Sequence, residues 1–351
     1  MYSSYSSLQQ SQLAAQGYYD TQSTYLLVYA PGRSTALRAT LADQLHRKFR
    51  LADTLGSALT EGVDGVLLVS EDVECMSTAL MCFAKALQDG ADYAVCNAVF
   101  GFGGATALYQ SRAHLAQNRC ALVSRPLLER CRAAAKDPEN VTELLALAAQ
   151  FCAHPARIPQ ALLHYERDIC AEDAFSATGK RAFLMSHVLD MTGAPIVLVS
   201  AVPVLRSMGY EVVVLGPSDG GALQLFVDAG AAVITRPGIR ATPNLWGLAL
   251  CTDLVLVNTV VMARTVRALS GTAVPVLWWL HDAFAGYPHI AHQIPTKLAE
   301  NVRLYSVGHH AANAMHAVRP DFQIGQLIYG FPPLRPRLPR RQAPLCHRRL
   351  L

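Results

Sequence analysis

Two stretches of the chain alternate short apolar runs with helix-period segments, the pattern of parallel strands covered on both faces. In the first, Tyr25–Ala30 (YLLVYA) predicts a strand ending at the turn Pro31-Gly32, and a helix follows over Leu37–Phe49. Gly65–Ser70 (GVLLVS) predicts a second strand, Thr78–Gln88 a helix and Tyr93–Ala98 a further strand. Helices are expected around Arg125–Ala135 and Val141–Ala153. The second stretch is more regular, with strands expected at Ala182–Ser186, Glu211–Leu215, Ala232–Thr235, Leu254–Asn258, Val274–Leu280 and Arg303–Val307. Ala222–Ala229 and Val260–Leu269 read as two of the helices between them. The fold class expected is α/β, with two Rossmann-like parallel-sheet domains. The expected organisation is a disordered lead-in (1–24), a first domain (25–165), a polar linker (166–180), a second domain (181–330) and a Pro/Arg-rich tail (331–351).

Composition narrows this picture. The chain has 351 residues, 52% hydrophobic and 16% charged, which suits cores of ordinary size. The net charge of +4 belongs to the tail: Arg335, Arg337, Arg340, Arg341, Arg348 and Arg349 account for +6, and 4 − 6 leaves −2 elsewhere. Nucleic-acid binding is therefore not expected. Nine cysteines, an odd number without a C-x-x-C pair, fit reduced thiols in the cytoplasm. Met1–Thr24 lacks the basic cluster and apolar stretch of a signal peptide. The longest uncharged apolar stretch, Met191–Leu205, falls short of the roughly 20 residues a membrane span needs. A soluble cytoplasmic protein is expected, with peripheral attachment at the inner face of the membrane as a variant.

Ligands of parallel sheets bind at the carboxyl ends of the strands. The residues there are Ser186-His187, Gly216-Pro217, Asn258-Thr259, His281-Asp282 and Gly308-His309. The run His187–Pro195 (HVLDMTGAP) leads into a helix start at Thr192-Gly193-Ala194, where free N–H groups favour an anionic or polar ligand; a plain tight turn is the alternative. His281, at the end of VLWWLHDAF, can position a sugar hydroxyl or stabilise charge at a reacting centre, or it can be a satisfied edge histidine. The spacing of His281, His289 and His292 matches no zinc pattern. Ser70-Glu71-Asp72 follows a strand and can hold a divalent cation, or cap a helix. Gly101-Phe102-Gly103-Gly104 fails the dinucleotide fingerprint, since Thr106 stands at the third glycine position and no acid follows near Ala121–Ser124. An NAD-dependent oxidoreductase is disfavoured accordingly.

The ordered runs FLMSHVLDMTGAPIVL, GYEVVVLGPSDGGALQLFVDAGAAVI, LVLVNTV, PVLWWLHDAF, LYSVGHHAANAM and LIYGFP resemble the N-terminal, acceptor-side domain of family 4 glycosyltransferases, which have the two-domain GT-B architecture. The resemblance implies that Thr192-Gly193-Ala194 faces the donor phosphates and that His281 stands beside the reacting sugar. Asp282 stands where relatives often carry glutamate, and His187, Gly308 and His309 join the expected donor or acceptor contacts. Pro203 falls within the first helix of this segment, at a cost of about 3 kcal/mol unless a kink is accommodated. The family's second Rossmann domain, with most nucleotide-sugar contacts, has no counterpart here, so a partner supplying it or a truncated chain is expected. The first segment resembles a shortened family 2 (GT-A-like) domain, with Ser70 replacing the first Asp of the Asp-x-Asp metal motif and Asp72 retained. This implies Mg2+ or Mn2+ at Asp72, and no cofactor for the GT-B-like domain. The implied activity is hexose transfer from a nucleotide-sugar to a glycan or lipid-linked acceptor in cell-surface polysaccharide synthesis. The alternative is a non-catalytic or truncated binding module.

Overall fold

A computed structural model describes residues 18–32, 35–59, 62–101, 106–109, 119–176, 179–239 and 246–329. The tail, most of the lead-in and positions 102–104 of the glycine-rich run lie outside the described residues. The N-terminal half contains β1 (Leu26–Tyr29), α1 (Thr35–Leu41), β2 (Phe49–Ala52), α2 (Leu55–Ala58), β3 (Gly65–Val69), β4 (Glu74–Cys75), α3 (Ala79–Gln88), β5 (Tyr93–Phe100), β6 (Thr106–Tyr109), β7 (Cys120–Ser124), α4 (Arg125–Ala134), α5 (Val141–Phe151), β8 (Pro155–Tyr165) and α6 (Ala171–Ala174). The C-terminal half contains β9 (Lys180–Met185), α7 (Gly193–Ser207), β10 (Tyr210–Gly216), α8 (Leu223–Asp228), β11 (Ala232–Thr235), α9 (Trp246–Leu250), β12 (Leu254–Asn258), α10 (Ala263–Leu269), β13 (Val276–Leu280), β14 (Val302–Ser306), α11 (His309–His316) and β15 (Ile324–Gln326).

The expected α/β class is what the chain adopts. In the C-terminal half every strand is parallel to its neighbours, in the order β11-β10-β9-β12-β13-β14-β15. Counting from β9, this is the doubly wound order 3-2-1-4-5-6 with one added edge strand. The order reverses between β9 and β12, and in sheets of this kind ligands bind at such a reversal, at the carboxyl ends of the strands. Each strand is a Val/Leu/Ile/Trp run because both faces are covered: Leu184, Val214 and Leu256 pack under α7 and α8, while Met185, Leu215 and Val257 pack toward α10. Pro203 does not interrupt α7, which continues to Ser207.

The N-terminal half is mixed. β1 is parallel to β2 and β3, whereas β7 runs antiparallel between β3 and β5. Strand β6 pairs antiparallel with both β5 and β11, so the two halves share one continuous sheet. The segment read as a polar linker packs closely: Asp173 is buried and Arg167 bonds it through both nitrogens, at 2.7 and 2.9 Å. Residues 18–24, expected to be disordered, form a 3-10 turn at Tyr18–Ser23 instead. Thr21 is buried against His46, and Thr24 accepts from Gln88. The helix expected over Leu37–Phe49 stops at Leu41, because Phe49 opens β2. Among the described residues no helix is long and apolar enough to cross a membrane.

Candidate functional site

The switch point between β9 and β12 gathers most of the residues singled out above. Strand β9 delivers Ser186 and His187, β12 delivers Asn258 and Thr259, and β13 delivers His281 and Asp282. The His187 ring Nδ1 lies 3.3 Å from Thr259 Oγ1, across the reversal. Asn258 Nδ2 donates to Ala194 O at 3.0 Å, tying the end of β12 to the first turn of α7. At that turn Thr192 occupies the cap position without a side-chain bond, so the N–H groups of Gly193 and Ala194, which open this 15-residue helix, receive no side-chain cap.

Two loops are locked to present this helix start. Ala222 N donates to Leu189 O at 2.8 Å, joining the loop after β10 to the loop after β9. A Cβ at Gly216 or Gly220 would collide with Leu189, so glycine is what lets the two loops approach. Thr259 is the described non-glycine residue with positive φ, at φ 72° and ψ 159°. That region is nearly exclusive to glycine, and a β-branched residue there stores roughly 1–3 kcal/mol of strain. The conformation is held from three sides. Thr259 N donates to Trp279 O at 2.8 Å, and Trp278 Nε1 donates to Thr259 O at 2.8 Å. Asp282 Oδ2 accepts from Val260 N at 2.6 Å.

His281 is half-buried, its ring tilted against Trp279 with centroids 4.7 Å apart. Its Nε2 is sealed from solvent and has no hydrogen-bond partner. Burial, reinforced by the nearby His187, pushes its pKa down to about 4, so the ring is neutral at pH 7. Asp282 has a raised pKa from burial, partly offset by backbone N–H groups, and its carboxylate serves the strained loop. Asn258 Oδ1, Tyr287 OH and Ser306 Oγ are likewise buried without partners at this end of the sheet. Buried polar atoms that the protein leaves unpartnered are commonly bonded by ordered water or a ligand. Gly308 and His309 begin α11 after β14, one strand beyond His281, and His309 Nε2 lies 3.4 Å from Gln326 Nε2. The strain at Thr259 and the orphaned Tyr287 and Ser306 carry no local sequence signal and emerge only in the fold.

Across the sheet, Asp72 is engaged differently. Its carboxylate accepts from Thr35 Oγ1 at 3.3 Å, Ala36 N at 3.2 Å and Leu37 N at 3.2 Å, capping α1. Glu71 pairs with Arg167 at 2.6 Å, and Ser70 Oγ donates to Arg119 O at 3.0 Å. These side chains, committed to one another and to backbone, do not present a set of open oxygens to a divalent cation. Among the described residues no three His, Cys, Asp or Glu side chains cluster in a metal-binding arrangement, the His281, His289 and His292 trio included. Two surface clefts, one bordered by Lys85, Asp89 and His154 and one by Glu300, Arg303 and Asp321, lie at the amino ends of the strands, away from the switch point.

Comparison with known proteins gives one family match: residues 178–316, which include the switch point, match the family model described as glycosyl-transferase family 4. Among solved structures, the glycosyltransferase GlyE of Streptococcus pneumoniae TIGR4 is similar at 8% identity and a TM-score of 0.25, over 73% of this chain and 91% of that one. At that score the likeness carries no argument. No curated protein matches the chain.

Proposed function

We propose that the protein transfers a hexose from a nucleotide-sugar to a glycan or lipid-linked acceptor in cell-surface polysaccharide synthesis, working in the cytoplasm, with peripheral attachment at the inner face of the membrane as a variant. The observation that carries this reading is the switch-point site of the family 4 domain, where a neutral His281 with a sealed, unpartnered Nε2 stands beside an uncapped helix start. In this reading the Thr192-Gly193-Ala194 turn receives donor phosphate through backbone N–H groups and the positive end of the α7 dipole. His281, neutral because it is buried, orients a sugar hydroxyl beside the reacting centre without adding charge to the pocket. Asp282 and Thr259 act by position: the carboxylate fixes Val260, and the strained turn fixes His187. Rate enhancement then comes from orientation and prearranged dipoles. His187, Gly308 and His309 line the acceptor side. No step is routed through a metal at Asp72, whose carboxylate caps α1.

The test is donor hydrolysis and transfer by the full chain with a panel of UDP- and GDP-sugars. Turnover or donor binding is expected with at least one; neither with any member of the panel overturns the reading. A second reading, a binding module that engages an acceptor glycan or a partner transferase, is favoured by Asp72, whose carboxylate is spent on capping α1. It predicts glycan binding or capture of a transferase without donor turnover.

A further inference from the structure

Arg236 stands one residue beyond the end of β11 and is 8% exposed. Its N–H donates to Gly216 O at 2.9 Å, continuing the β10–β11 ladder one residue past the end of β11. Along β11 the side chains alternate: Val233 belongs to the core under α7 and α8, Ala232 and Ile234 to the core on the α10 side. Arg236 therefore continues on the α10 side, the side of Met185 and Val257. Met185, Leu215 and Ile234 are in register across β9, β10 and β11, as are Met185 and Val257 across β9 and β12. Thr259, His187, Pro217 and Arg236 thus form one row, each two positions further along. Two strand spacings put His187 and Arg236 about 10 Å apart along this row.

Among the described residues the Arg236 guanidinium makes no salt bridge and no hydrogen bond. The acid in the adjoining loop, Asp219, is engaged by Tyr109 OH at 2.6 Å. The undescribed residues contain a single acid, Glu61, between α2 and β3. Burying an arginine with no counter-charge is costly, and the fork of the guanidinium matches phosphate or carboxylate oxygens bidentately. A buried arginine that meets solvent, without a carboxylate, at the ligand-bearing edge of a parallel sheet is suited to a charge that arrives with the ligand.

We infer that Arg236 forms an anion subsite that receives the phosphoryl or carboxylate group of the acceptor, with His187 contacting the attached sugar. The assignment to the acceptor rests on the glycosyltransferase reading; the anion subsite does not. It is separate from the Gly193 turn, which lies at the start of α7 on the opposite side of β9 and β10.

The experiment is calorimetric titration of the full chain with inorganic phosphate, a hexose 1-phosphate and a hexuronic acid. It is repeated with Arg236→Gln, Arg236→Lys and, as an exposed control, Arg267→Gln. One of the sugar anions is expected to bind the wild type, to bind Arg236→Gln about tenfold or more weakly, and to bind Arg267→Gln unchanged. Arg236→Lys, which keeps the charge and loses the fork, is expected to fall between. Preference for hexose phosphate over hexuronic acid, or the reverse, identifies the anion. Should Arg236→Gln fail to fold, the Lys variant and an anion-dependent rise of the wild-type Tm carry the test. Equal binding by wild type and the folded variants, or no binding of any anion, overturns the subsite. Displacement of the sugar anion by UDP overturns the acceptor assignment, because the donor's phosphates would then occupy Arg236. Anion binding with no sugar transfer keeps the subsite and removes the enzymatic reading.

Discussion

The two halves of the sheet treat their strand-end polar groups in opposite ways. In the N-terminal half they are spent on one another: Asp173 takes two bonds from Arg167, Glu71 a third, Glu74 holds His164 at 2.6 Å, and Asp72 caps α1. Arg167 also lies over the rings of Phe100 and Tyr165. In the C-terminal half they are held in reserve. Among the described residues, Asn258 Oδ1, His281 Nε2 and Ser306 Oγ, at the ends of β12, β13 and β14, are buried without partners, as is Tyr287 OH beyond β13. A closed network is a structural device, whereas unspent polarity beside a strained turn costs stability and persists where a ligand uses it. One edge closes its polar groups into a network, and the other keeps buried polar atoms without protein partners.

The comparison breaks first if the N-terminal network is not structural. Asp173→Ala leaves Arg167 without its main partner and is expected to cost about 3–5 kcal/mol in chemical denaturation. Donor binding by the fraction that folds should be unaffected. His281→Ala should do the reverse, with transfer down about 100-fold or more and stability close to wild type. Its effect on donor turnover and the unfolding midpoint, measured together, decides this.

Acid stability sharpens the contrast. His281 in the folded chain titrates at about 4, below its ordinary value near 6.5. Between those values the unfolded chain binds the proton and the folded chain does not, so stability falls as pH drops from about 6.5 to 4. His46, also lowered by burial, adds to this slope, and Asp282, raised by burial, opposes it near the lower end. His281→Gln should flatten the slope; an unchanged slope, or an NMR titration of His281 near 6.5, removes the claim that its ring is buried and neutral. The smallest effect is expected at Asp72. Asp72→Ala removes a helix cap, worth about 1 kcal/mol, and should leave sugar transfer as it was.

Much of this was legible beforehand where a residue's environment repeats along the chain. The strands β3, β9, β10, β12, β13 and β14 announce themselves as apolar runs, and the carboxyl-end rule then leads to His187, His281 and Asp282. Strand β8 was not legible: Pro155 and Pro159 interrupt it, and its register against β5 shifts around Asn97, so no period survives. Strand β6 is four residues long and is held between β5 and β11, the latter far off in the chain order. The role of Asp72 was ambiguous because a capping carboxylate and a metal ligand look alike in sequence; only the donors of α1 distinguish them. Arg236 and Thr259 are ordinary letters in sequence. What sets them apart is, in one case, a missing counter-charge and, in the other, a φ of 72°, and both are three-dimensional properties.

The most direct test compares nucleotide-sugar binding by the wild type, His281→Ala and Asp72→Ala, using titration calorimetry on full chains with verified folding. The account predicts that Asp72→Ala binds as the wild type does, while His281→Ala loses most of the affinity. Loss of binding in Asp72→Ala with His281→Ala unchanged would contradict it and move the working edge to the other half of the sheet.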